Sequence, residues 1–132
     1  MFGGKLASYI GKPPFETICL QYLYRANRSG KLPLTATSFG AWWGTDPREK
    51  AQSDFDVIAA DRAEKRIVLG ECKWRDRVKA AAELQKLASK DHLLGEYKSR
   101  YYYLFTKAPT VLRTPNPKNA TLISTDALFD LG

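Results

Sequence analysis

Histidine is nearly missing from this 132-residue chain, and His92 is the only one. Alone near an expected helix end, it reads as a surface or capping residue rather than a ligand or base. No nucleophile motif accompanies it, so no residue supports a small-molecule enzyme. Cysteine is almost as sparse. Cys19 and Cys72 stand in no metal-ligand spacing and read as core residues of a reducing compartment. No charged-then-apolar leader opens the sequence and no apolar run approaches a membrane span, so a cytoplasmic location without a membrane partner is expected. A Gly-x-x-x-x-Gly-Lys-Ser/Thr loop is absent, which excludes nucleotide binding by that mechanism.

What is present is an ordinary globular composition, long enough for one domain over residues 1–132 with a core that needs no disulfide or metal. Lysine and arginine outnumber the acidic residues 21 to 14, for a formal charge of +7. That balance suits a polyanionic partner, nucleic acid first among them.

The acidic residues gather in one informative stretch. Ser53–Trp74 predicts a β-hairpin. Alternation puts Asp54, Asp56, Ile58 and Ala60 on one face of its first arm, with Phe55, Val57 and Ala59 on the other. Asp61–Lys65 makes a polar turn, and Arg66–Trp74 is a continuous apolar run with two charges inside it. Those charges, Glu71 and Lys73, share a face while Cys72 points away. Antiparallel pairing returns them to Asp54 and Asp56. Carboxylates converging at the end of a buried sheet require something positive between them. Mg²⁺ or Mn²⁺ meets that need with one or two carboxylates, waters and substrate phosphate oxygens. Lys73 then orients or helps deprotonate the attacking water, or holds the phosphate. The plain alternative is a structural ion pair at a sheet end.

Around the hairpin, Phe15–Asn27 has the spacing of an amphipathic helix, with Glu16 in its first turn as a dipole-favoured charge or an additional ligand and Gly30 as its C-terminal cap. Met1–Pro14 is expected to be irregular, or the tail of a helix from something upstream. Leu34–Trp43 predicts a strand, followed by a turn at Gly44–Pro47. Trp42 and Trp43 face opposite ways on it, one for the core and the other to stack on a partner or cover a sheet edge. Val78–Leu94 predicts a second helix whose other side carries Lys79, Gln85, Lys86 and Lys90, a solvated basic face or one that tracks phosphates. Lys86, Gln85, Lys79 and Arg75 are the candidate nucleic-acid contacts. Tyr101–Thr106 is an aromatic strand for the core, Pro109–Asn119 a loop, and Ala120–Ser124 a short strand before a last helical turn over Asp126–Leu131.

The predicted order of helix, three strands, helix and two strands is α/β, with the acidic hairpin in the middle of the sheet. Asp56, a spacer and Glu71-Cys72-Lys73 resemble the motif of the PD-(D/E)XK nuclease superfamily, which implies its restriction-endonuclease-like fold, an αβββαβ core with a mixed central sheet flanked by helices. The helix residue Glu16 matches a position where many members place another acid, and Gln85 or Lys86 the helix that often supplies a further group. More narrowly, Trp42-Trp43-Gly44, Asp56-Val57-Ile58-Ala59 and Gly70-Glu71-Cys72-Lys73-Trp74 resemble the nuclease-like C-terminal domain, of unknown function, of archaeal-type ATPases. The resemblance implies a Mg²⁺-dependent endonuclease acting on DNA, with Asp56, Glu71 and the Cys72 carbonyl as metal ligands and Lys73 serving the water. It also implies a C-terminal fragment of a larger ATPase, whose N-terminal module in the same parent chain would be a partner. The competing expectation is a catalytically inactive module that binds nucleic acid or docks on its ATPase domain.

Overall fold

The computed structural model describes residues 14–110 and 118–128. The irregular opening expected over residues 1–13, the middle of the Pro109–Asn119 loop and the end of the last helical turn lie outside them.

Helix α1, Phe15–Arg28, buries Cys19, Tyr22, Leu23 and Ala26, the stripe its spacing predicts. It stops at Gly30, which at φ +70° lets the Lys31 N–H donate to the Ala26 carbonyl at 2.8 Å. The strand expected from Leu34 begins only at Ser38, as β1 (Ser38–Asp46). Leu32, Leu34 and Ala36 are buried alternately like strand residues. Their segment is tied instead to α1, because the Asn27 side chain accepts from the Ala36 N–H at 2.8 Å and donates to its carbonyl at 3.0 Å. β1 also runs through the expected turn. The chain reverses at Pro47–Lys50, where the buried Asp46 carboxylate accepts from the Arg48 N–H at 2.9 Å.

β2 (Ala51–Asp61) and β3 (Arg66–Lys73) are the predicted hairpin, closed by an Asp61–Arg66 ion pair at 2.7 Å. Next come α2 (Ala80–Ser89), a 3₁₀ turn (Asp91–Leu94), β4 (Ser99–Thr106), β5 (Ala120–Ser124) and α3 (Thr125–Leu128). The helix expected over Val78–Leu94 is therefore shorter and broken after Ser89. Tertiary bonds hold the 3₁₀ segment: Tyr102 donates to Asp91 at 2.6 Å, and His92 pairs with Asp46 at 3.1 Å. The described residues form one five-stranded mixed sheet in the order β1-β2-β3-β4-β5, antiparallel from β1 to β3 and parallel from β3 to β5. The fold is α/β. Among the described residues no helix is long and apolar enough to cross a membrane.

Two cores flank the sheet. α1 and α3 cover Val57, Ala59, Val68, Tyr103 and Phe105 on one face; α2 covers Phe55, Ala60, Ile67, Leu69 and Leu104 on the other. The aromatics of β4 are core residues. Simple alternation would keep Phe55 with Val57, but β2 is bulged. Gly40 pairs with Ile58 while Trp42 pairs with Phe55, so β2 spends one more residue than β1 across Asp56–Val57. That extra residue sends Phe55 to the opposite core.

Candidate metal centre

The bulge and the end of β3 together build the site. Val57 pairs with Gly70, which carries Asp56 to the level of Glu71. The Cys72 N–H donates to Asp56 Oδ2 at 2.8 Å and fixes the carboxylate across the strands. Gly70 makes this approach possible, since a Cβ there would lie 2.5 Å from Val57 Cγ2. Asp54, Asp56 and Glu71 each present a carboxylate oxygen within 4.8 Å of the others. Asp56 and Glu71 are largely withdrawn from water; Asp54 forms the exposed lip.

The electrostatics are unbalanced at this point. Burial, opposed by the Cys72 N–H and reinforced by Glu71, Asp54 and Glu16, raises the Asp56 pKa to about 6. Glu71 Oε1 is buried with no hydrogen-bond donor among the described residues. Its other oxygen lies 3.2 Å from Lys73 Nζ, which is also 3.7 Å from Glu83; Arg75 approaches Glu83 at 3.8 Å. Burial pulls the Lys73 pKa down, but Glu71 and Glu83 outweigh it and the net shift is upward. Lys73 is thus held as an ammonium. A second one, Lys90 Nζ, stands 3.7 Å from Asp54, 3.8 Å from Glu71 Oε1 and 5.1 Å from the centre of the Phe55 ring.

The sequence expectations divide at this geometry. Asp56, Glu71 and Lys73 meet as expected, and Asp54 joins them as a third carboxylate. Glu16 is exposed on the first turn of α1; of the three neighbouring carboxylates acting on Asp56 it acts least, and it is not one of the clustered trio. The Cys72 side chain faces the opposite core, where contact with Cys19 and then burial push its thiol pKa upward. Lys79, Gln85 and Lys86 lie exposed along α2. Lys90 does not lie on that solvated face as expected: α2 ends at Ser89, and Lys90 turns in to the acidic cluster. Glu83 was findable. It continues the row Ala80, Leu84, Leu87 at three- and four-residue spacing, so it is a charged residue on the buried side of a helix.

Residues 2–86 match DUF234, the family described as archaea bacterial proteins of unknown function. The chain belongs to that family. The DUF234 match includes Asp54, Asp56, Glu71, Lys73 and Glu83, and ends before Lys90 and His92. No curated protein and no solved structure matches the chain.

Proposed function

We propose that this DUF234 chain is a divalent-metal-dependent nuclease domain of the PD-(D/E)XK type, hydrolysing phosphodiester bonds of DNA. The observation that carries this reading is the convergence of three carboxylates within 4.8 Å on a sheet end where Lys73 is already held as a cation. The donor set fits Mg²⁺ or Mn²⁺: all-oxygen, carboxylate-rich, with one buried oxygen of Glu71 that has no donor among the described residues. Asp56 and Glu71 are the principal ligands, Asp54 completes the exposed side, and the Cys72 carbonyl is the further ligand implied by the resemblance. A bound dication supplies Lewis-acid polarisation of the phosphate and of water. Lys73, protonated through neutral pH, aligns the phosphate or the attacking water and offsets the charge that develops on the phosphoryl oxygens. DNA and the ATPase module of a longer parent chain are the partners in this reading, with Arg75, Lys79, Gln85 and Lys86 available along one side for the backbone.

The test is cleavage of plasmid and oligonucleotide DNA with Mg²⁺ or Mn²⁺. Asp56→Ala should lose metal binding and cleavage together. Lys73→Ala should keep metal binding and lose cleavage by roughly 100-fold or more. Cleavage untouched by both substitutions would refute the assignment. A module that only binds nucleic acid or docks on an ATPase is favoured by one observation, the two ammoniums already flanking Glu71. It requires DNA or ATPase binding with no calorimetric signal from Mn²⁺.

A further inference from the structure

Lys90 belongs to two places at once. Its ammonium sits against Asp54 and Glu71, and its side chain also lines a concavity of about 480 Å³ with Arg48, Gln52, Ser53, Ser89 and His92. Basic, hydroxyl and amide side chains make up most of that lining. His92 Nε2 lies 3.1 Å from the Asp46 carboxylate and Nδ1 lies 3.1 Å from the Ser89 carbonyl. Both ring nitrogens thus face oxygens, and the buried Asp46 carboxylate is engaged by His92 and by the Arg48 N–H. The lining holds two acids, Asp46 and Glu49, and two cations, Arg48 and Lys90. Hydroxyl and amide donors complete the lining.

We infer that Lys90 is a two-position cation. Without metal it is the counter-ion of Asp54 and Glu71. When a dication occupies those carboxylates, repulsion expels the ammonium, and its flexible stem carries it over the Phe55 ring into the hollow, where it holds a phosphate of the nucleic-acid backbone beside the reacting one. Metal and phosphate therefore bind cooperatively through Lys90, each favouring the arrangement the other needs. The inference rests on the metal centre proposed above and extends it to the substrate.

The experiment uses the whole chain, with Mn²⁺ and thymidine 5′-monophosphate titrated calorimetrically at constant ionic strength. Lys90→Met should bind Mn²⁺ about tenfold more tightly than the parent protein, and should bind the nucleotide in the presence of Mn²⁺ about tenfold more weakly. A merely structural role would move both affinities the same way. Lys90→Arg retains the competing charge and should keep the parental Mn²⁺ affinity. Lys98→Met removes a like charge at the far end of β4 and should change neither affinity. Equal or weaker Mn²⁺ binding by Lys90→Met overturns the inference while leaving the nuclease reading intact. Mn²⁺ binding with the opposed shifts but no DNA cleavage supports Lys90 and defeats the nuclease. No Mn²⁺ binding by any variant overturns both.

Discussion

At the scale of single residues, Asp56 carries the conflict between fold and site. Burial first, then its acidic neighbours, raise its pKa to about 6, against an ordinary carboxylate near 3.9 in an unfolded chain. The folded protein therefore keeps this proton between about pH 4 and pH 6 while the unfolded chain has already lost it. Stability from the group is full below that window and is lost as pH rises through it. Asp56→Asn removes the penalty and keeps an oxygen to accept the Cys72 N–H, bonded at 2.8 Å in the parent. Urea denaturation should find the variant more stable at pH 8 by about 1 kcal/mol, with the partial exposure of the group discounted, and equal to the parent at pH 4. A gap that persists at pH 4, or none at pH 8, contradicts this account. On the proposed reading the same proton competes with the dication, so Mn²⁺ affinity should weaken as pH falls through 6.

Among the elements, β3 sets the site by how closely its neighbours approach. A Cβ at Gly70 would meet Val57 Cγ2 at 2.5 Å, the Val57 carbonyl at 3.2 Å and Phe105 Cε2 at 3.2 Å, backbone and packed core rather than flexible ends. Gly70→Ala should thus push β2 from β3 one residue before Glu71, destabilising the fold by about 1–3 kcal/mol in chemical denaturation. Mn²⁺ affinity should drop with it; a variant with parental stability would show that the sheet yields there without cost. In the sequence, Gly70 is only one member of an apolar run, because close approach between strands leaves no trace in periodicity. The hairpin itself was legible from its alternation and polar turn. Its bulge was not, since one surplus residue across Asp56–Val57 becomes visible only against the length of β1. The late start of β1 escaped for a similar reason: Leu32, Leu34 and Ala36 alternate as a strand would, yet their hydrogen bonds go to Asn27. Likewise the break after Ser89 depends on Asp46 and Tyr102, both remote in sequence.

For the whole molecule, composition revealed the sign of the charge but not its arrangement. The chain carries +7 overall, yet Asp54, Asp56, Glu71 and Glu83 gather at one sheet end, with Lys73, Arg75 and Lys90 set among them. The convergence of Asp56, Glu71 and Lys73 was readable from a two-residue spacing in a hairpin. The turn of Lys90 into the same cluster was not, because it follows from where α2 ends. On the proposed reading, a polyanion drawn by the overall positive charge meets a negative centre, and a bound dication would reconcile the two. Binding of a fluorescein-labelled oligonucleotide, followed by anisotropy on Lys73→Ala so that the strand stays whole, should therefore respond to two variables. Affinity should fall with added salt along a log–log slope of about −3 to −5, the release expected for a handful of neutralised phosphates. Mn²⁺ should raise affinity by roughly tenfold, a coupling that disappears when Asp56→Asn is added to the same protein. A salt-independent affinity would remove nucleic acid as the partner. A salt-dependent affinity indifferent to Mn²⁺ would separate the basic surface from the acidic centre and leave the latter as a structural ion network.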